Sequence, residues 1–442
     1  MSDDDLKPGH SGAGDLFDRA TLDRVEEHLA PTDALLASAY PGPGDSRQPV
    51  HTVYVPADAI GPGTAAGWGA TARDLAAQDG GVEALCHELG LDPGLAAEVA
   101  PRVEQKLLEQ PVEDLRVDFE DGYGVRPDEV EDAAVAAALA ARRADEQDGT
   151  ATPFWGIRFK CFESDVRARG LRTLGRFLSG LADGDGAGLP EGLRLTFPKV
   201  STASQVEALV LVLEEAERKL GLDSGRLTFE IQVETPPLIL GVDGRAELAA
   251  AVRAGGARVS GLHYGTYDYS ASMQVAAAHQ AMDHPVADQA KAVMQLVAAG
   301  TPVELSDGST NVVPSGDAAQ RRAARELHHR LVTRSLRQGI YQGWDMHPGH
   351  LITRYIANYA FFRSGLPSAG DRIGRYIAQV QGEVMDEPAT VRALARYLHR
   401  GHSCGAIGED ELVSRTGLDG PRMQELARPR SDTAALAKEA HP

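Results

Sequence analysis

Residues 226–241, RLTFEIQVETPPLILG, are rich in strand formers yet carry two glutamates and a glutamine at every second position. Successive side chains of a strand point to opposite faces. Phe229, Ile231 and Val233 therefore share one face, and Glu230, Gln232 and Glu234 share the other. An open sheet would leave that polar face in water. A closed barrel would turn it inward and lay the apolar face against surrounding helices. Pro236 and Pro237 stop the ladder, which leaves Glu234 at the C-terminal end of the strand.

The rest of the chain decides between the two. HTVYVPAD, LRVDFEDGYG, FWGIRFKCF and GLRLTFPKV read as strands ahead of this one, and ARVSGLHYG, TPVELSD and YQGWDMHP read as strands after it. Helical periodicity falls between most of them, as in GVEALCHELG, LAAEVAPRVEQKLLEQ, VEDAAVAAALAARRADEQ and QVEALVLVLEEAERKLG, the last closed by Gly221. Eight strands alternating with helices predict an α/β fold, a (β/α)8 TIM barrel. The alternative, an open doubly wound sheet, usually carries a glycine-rich phosphate loop after a strand. Neither GxGxxG after a strand nor GxxxxGK[ST] is present. The expected organisation is an acidic disordered tail and helix over residues 1–45, the barrel over 46–350, and a C-terminal helical extension over 351–442.

Composition narrows the function. Apolar residues make up 43% of the 442, near the globular norm, so a sizeable core is available. A formal charge of −20 argues against a nucleic-acid partner and against an anionic membrane surface. An anionic small molecule can still bind where a pocket is locally basic. Cys86, Cys161 and Cys404 are odd in number and far apart, with no disulfide or zinc spacing. No apolar run is long enough to span a membrane, and the acidic N-terminus lacks a signal-peptide core. The expectation is a cytoplasmic protein with reduced thiols.

Active sites of such barrels lie at the C-terminal ends of the strands. Glu234 ends the fifth strand, and Asp268, in HYGTYDYS, follows the sixth, one βα unit later. Two carboxylates there are either solvated turn residues or ligands of one hard cation such as Mg2+. Asp118, Glu120 and Asp121 end the second strand, a costly cluster without a compensating cation or donors. Arg158 and Lys160 share a face of the third strand, and Lys199 ends the fourth. Acids, an arginine and a lysine at one mouth suit a metal-bound oxo-acid.

TFPKV with the long helix after it, EIQVETPPLILG, SGLHYGTYDYSAS, VYVPAD, VDFEDG and GWDMHPGHL together resemble the malate synthase and citrate lyase β-subunit superfamily, which includes metal-dependent HpcH/HpaI-type aldolases. The resemblance runs in order over roughly residues 50 to 350. It implies a barrel with one Mg2+, or Mn2+, held by Glu234 and Asp268. Arg158 then falls on the arginine that binds the oxo-acid, Glu120 and Asp121 on acids supporting the metal waters and that arginine, and Lys199 on a structural or substrate-adjacent lysine.

The departures bear on the reaction. The aldolase branch carries a Glu-His pair where this chain has Glu120-Asp121, so that histidine base does not transfer. VMDEPATVRAL resembles the malate synthase stretch that carries a base aspartate, and Glu387 takes that place beside Asp386. Two acids at a helix start with Pro388 explain the same residues without chemistry. His347 is expected to be structural or substrate-adjacent, and His263 and Tyr264 to border the pocket. The expected activity is a Mg2+-dependent carbon–carbon lyase or aldolase on a small 2-oxo acid or hydroxy acid. A condensing transferase using a CoA thioester and a non-catalytic metabolite-binding barrel are the alternatives. Homo-oligomer formation stays open.

Overall fold

The computed structural model describes residues 16–44, 46–182, 189–378, 387–428 and 431. The expected N-terminal tail and Asp386 lie largely or wholly outside them. The strands are β1 His51–Pro56, β2 Asp114–Asp118, β3 Phe154–Arg158, β4 Leu193–Phe197, β5 Phe229–Val233, β6 Val259–Tyr264, β7 Glu304–Ser306 and β8 Gly343–Trp344. All pair in parallel, in the order β7-β6-β5-β4-β3-β2-β1-β8. A parallel bridge between Ser306 and Gln342, with the Asp307 N–H donating to the Gln342 carbonyl at 2.9 Å, joins the two edges. The sheet is therefore a closed eight-stranded barrel, and the open doubly wound alternative does not apply.

Helix α1, Arg19–Ala39, precedes the barrel. α2 Thr64–Gln78, α3 Val82–Glu88 and α4 Pro93–Glu109 link β1 to β2. α5 Asp128–Gln147, α6 Arg167–Ala182 and α7 Ala203–Leu220 make the next three crossovers. α8 Pro236–Ile239 and α9 Glu247–Gly255 lead to β6, α10 Thr266–Ser272 and α11 Pro285–Ala298 to β7, and α12 Ala318–Arg337 to β8. The extension comprises α13 Pro348–Ala378, α14 Pro388–Ser403, α15 Glu409–Thr416 and α16 Gly420–Ala427. α7 shows why local sequence suffices in places. Thr202 and Gln205 form a reciprocal capping box, and Gly221, at φ 67°, ends the helix in the left-handed region.

The face question has a clear answer. Phe229, Ile231 and Val233 are fully buried beneath the helices, continuous with Phe159, Phe162 and Phe197. Glu230, Gln232 and Glu234 point into the barrel and are also buried. The interior is ionic where bulky aliphatic residues usually fill such barrels. Arg116 pairs with Asp114 and donates to Glu230 at 2.7 Å and to Thr196 at 3.1 Å. His263 Nε2 lies 3.2 Å from Glu230. Buried charges survive when each is paired and hydrogen-bonded, and this layer meets that condition.

α13 packs on α2, α4 and α12, so the extension grows out of the barrel wall. α14 and α16 border a cavity with the residues that lead into β7 and β8. They thus cover the N-terminal pole, opposite the strand ends where Glu234 lies. Among the described residues no helix is long and apolar enough to cross a membrane. All three cysteines are buried and unbridged.

Candidate active site

A cavity of about 450 Å³ opens at the C-terminal ends of the strands. Tyr54, Asp118, Arg158, Gln232, Glu234, Asp268 and Trp344 are among its walls. Arg158 ends β3 and is almost wholly buried. Its Nε and Nη2 donate to the two oxygens of Asp118 at 2.7 and 2.6 Å. Gly122 makes room for this pair: its N–H donates to Asp118 Oδ2 at 2.8 Å, and a Cβ there would come within 2.5 Å of that oxygen. Nη1 remains, 3.4 Å from Gln232 Oε1 and 3.8 Å from Glu120 Oε2. The rings of Tyr54 and Trp344 flank the guanidinium at 4.9 and 5.6 Å.

Glu234 follows the last residue of β5, where Pro236 opens α8 and ends the ladder. Asp268 sits in the first turn of α10. Gly265 lets that turn approach: a Cβ on it would lie 2.5 Å from the Glu234 Cβ. Lys199 is the hinge of the arrangement. It adopts φ 51°, uncommon for a residue with a side chain. That turn aims its backbone N–H at Glu234 Oε1, 2.7 Å away. Its ammonium lies 2.7 Å from Glu120 Oε1, 2.7 Å from Asp121 Oδ1 and 3.7 Å from Asp268 Oδ2.

The electrostatics follow from this crowding. Burial pushes the Glu234 carboxyl up to about 8; Arg158 opposes the shift, while Asp268 and Glu120 add to it. Burial pushes Glu120 up to about 7, against Arg158 and with help from Asp121. Asp121 is held below its ordinary value by hydrogen bonds from Glu120 and Lys199, which outweigh its burial. With Asp118 neutralised by Arg158, four carboxylates (Glu120, Asp121, Glu234, Asp268) face one ammonium. An all-oxygen donor set with excess negative charge fits a hard divalent cation.

The structure thus brings together Arg158, Glu120, Asp121, Lys199, Glu234 and Asp268. Glu387 is placed elsewhere. It is exposed, precedes the first turn of α14, makes no side-chain cap and does not border the mouth cavity. Lys160 turns away from the mouth and donates to Glu131 at 2.9 Å. His263 lies one layer down on Glu230, and Tyr264 is buried outside the cavity wall. The aromatic walls Tyr54 and Trp344, and the Gln232 contact, lie inside the stretches VYVPAD, GWDMHPGHL and EIQVETPPLILG, but the resemblance assigns them no role. Strand alternation in HTVYVP and EIQVE was the signal that could have found Tyr54 and Gln232.

A second cluster lies outside the barrel wall. Asp345 accepts from Arg354 Nη2 at 2.8 Å, and His51 Nδ1 and His328 Nε2 lie 3.0 and 3.1 Å from its oxygens. His350 stacks on His328 at 4.2 Å, and His328, Asp345 and His350 bring ligand-capable atoms within 4.8 Å of one another. Arg354 already supplies the positive charge that Asp345 needs, so the group reads as a buried structural knot. His347 accepts the Gly349 N–H at 3.0 Å and immediately precedes α13.

The fold and mouth define a (β/α)8 barrel with a polar, acid-rich catalytic-type face. The chain belongs to a family described as a domain of unknown function, DUF6986, whose family model matches residues 29–431. A search of curated proteins finds no match. Among solved structures, it is similar to a citrate lyase from Burkholderia xenovorans LB400, at 17% identity and a TM-score of 0.54, over 83% of this chain and 96% of that one. It also matches a magnesium/glyoxylate complex of Haloferax volcanii malate synthase, at 16% identity and a TM-score of 0.48, over 87% and 99%. At these identities the first likeness speaks to the fold, and the second is too weak to carry an argument.

Proposed function

We propose that the chain is a divalent-metal-dependent carbon–carbon lyase or aldolase acting on a small 2-oxo acid of the pyruvate or glyoxylate type. One observation carries this: the Arg158 guanidinium and the Glu234–Asp268 carboxylates share the wall of one small cavity at the strand ends. Glu234 and Asp268 would hold Mg2+, or Mn2+ in its place, with Glu120 and Asp121 orienting its waters. The bound ion would supply Lewis-acid polarisation of a carbonyl oxygen.

The chain's own residues supply the rest. Asp118 fixes Arg158, so Nη1 faces the cavity without reorganising, ready for a substrate carboxylate or an oxygen that gains negative charge. Tyr54 and Trp344 keep water from the guanidinium, which strengthens that contact. Lys199 neutralises part of the acid cluster through Glu120 and Asp121. Proton transfer falls to a bound water or to a carboxylate from the C-terminal helices; Glu387, the one expected from the sequence, does not border this cavity and would have to be brought to it.

The test is a panel of 2-oxo and hydroxy acids, followed by pyruvate or glyoxylate release with and without Mg2+. Acetyl-CoA with glyoxylate, followed by free thiol, runs beside it. Mg2+-dependent release from one acid, abolished by Arg158→Ala, is expected. Thiol release would point to a condensing transferase instead. Oxo-acid binding with no turnover of any compound would point to a non-catalytic barrel.

A further inference from the structure

The opposite pole of the barrel holds a cavity of about 350 Å³. Its walls come from the residues leading into β1, β7 and β8 and from α14 and α16. Arg47, Arg396, Arg400, Arg428, His399 and Glu304 are among them. In a chain of net charge −20, four arginines around one small space are out of keeping with the surface as a whole.

Arg396 and Arg400 are one helical turn apart on α14, so they lie on one face. Neither forms a salt bridge with a carboxylate among the described residues, and Arg396 makes no side-chain hydrogen bond there either. Arg400 is held in place: its Nη1 donates to Gln48 Oε1 at 2.6 Å, and its guanidinium lies 4.3 Å over the Tyr341 ring. Burial lowers its pKa, Tyr341 and Glu304 oppose that, and the neighbouring Arg396 adds to it. A cation near a helix C-terminus suits the helix dipole, which accounts for Arg400 in the last turn. It does not account for Arg396, a turn earlier and beside a like charge. Arg47 adds to the excess. Its partner Glu113 is shared with Lys106, at 2.5 and 2.6 Å, so two cations face one carboxylate. Glu304, the acid of the cavity, is pushed up to about 8 by burial, against Arg194 and with Glu230.

We propose that this cavity binds a small polyanion, a molecule presenting two or more acidic oxygens such as a phosphoryl group or a di- or tricarboxylate, with Arg396 and Arg400 as its principal contacts. Two planar guanidinium forks on adjacent turns match paired oxygens, and the volume falls in the range of small-molecule sites. The N-terminal pole of such barrels is a place for stability and control, not for chemistry. The ligand is therefore an effector or a structural anion and not a second substrate.

The test uses the full chain without Mg2+. Calorimetry and thermal melts are run with inorganic phosphate, pyrophosphate and citrate, each against sodium chloride at matched ionic strength. At least one probe should bind at one site and raise Tm. Pyrophosphate tighter than citrate assigns a phosphoryl ligand, and the reverse assigns a polycarboxylate. Arg396→Gln removes a half-buried side chain with no hydrogen-bond or ion-pair partner among the described residues, so the fold should survive. It should weaken the bound probe about tenfold or more, as loss of a charge-assisted contact does. Arg400→Gln should do the same. Absence of binding by all three probes, or binding unchanged in Arg396→Gln, would overturn the proposal. Neither result touches the mouth, so the lyase assignment stands or falls separately.

Discussion

Arg158 sets two nitrogens on one carboxylate, Nε at 2.7 Å from Asp118 Oδ1 and Nη2 at 2.6 Å from Asp118 Oδ2, and its Nη1 has only the longer contacts to Gln232 and Glu120 beside the cavity. A lysine can carry the charge but not the fork. Arg158→Lys should lower kcat/KM for the oxo-acid substrate by about 30- to 1000-fold, the cost of one oxyanion contact. Near wild-type kcat/KM would show that Arg158 does not meet the reacting oxygens.

Among the described residues Lys199 is the single ammonium that pairs with the mouth acids, and its own backbone sits at φ 51°. Lys199→Met keeps the backbone and removes the charge. In Mg2+-free buffer the variant should lose about 1–3 kcal/mol of stability, because Glu120 and Asp121 lose their donor. Mg2+ affinity should rise, since the ion no longer competes with the ammonium. Unchanged melting and unchanged Mg2+ affinity would show that Lys199 plays no part in balancing the acids.

Glu113 offers a pH test far from the mouth. Burial acts to raise its pKa, but Lys106, Arg47 and His51 overcome it and hold the carboxyl down at about 2. A depressed folded-state pKa gives stability that is present above the unfolded value of about 4.5 and lost as pH falls through 2. Over that window the wild type should lose up to about 3 kcal/mol through this group. Glu113→Gln should be less stable at pH 7 and should show a flatter decline below pH 4.5. Identical acid profiles would remove Glu113 from the account.

Glu387 lies outside the mouth of its own chain, so as a base it would have to arrive by closure or from a neighbouring copy. Glu387→Gln should lower kcat by about 100-fold or more, with Mg2+ and oxo-acid binding nearly unchanged. Wild-type turnover would leave the segment as a helix start alone.

Much of the barrel was legible because strands and breakers are local signals. All eight strands, the closing Gly221 and the inward turn of Glu230, Gln232 and Glu234 could be read from alternation and turn residues. α2 carries no comparable signal. Its TAAGWGATARDLAAQ is too rich in small residues for a strong periodic pattern. Gly69 shows why it is built so: a Cβ there would come within 2.5 Å of the Leu107 carbonyl. At the mouth, motifs located the charged residues but not their pairing. That Asp118 would take Arg158 depends on the register of β2 against β3, and that Lys160 would turn out to Glu131 depends on how α5 packs beside β3, and neither is a local signal. The arginine cavity was illegible for the same reason, since Arg47 and Arg396 meet only after the extension folds back over the barrel.

The account rests most heavily on one ion between Glu234 and Asp268. Calorimetric titration of Mg2+ into the wild-type chain, Glu234→Ala and Asp268→Ala, with circular dichroism to show that each is folded, tests it directly. One binding site in the wild type, absent from both variants, is the predicted result. Equal Mg2+ affinity in all three folded proteins would contradict it.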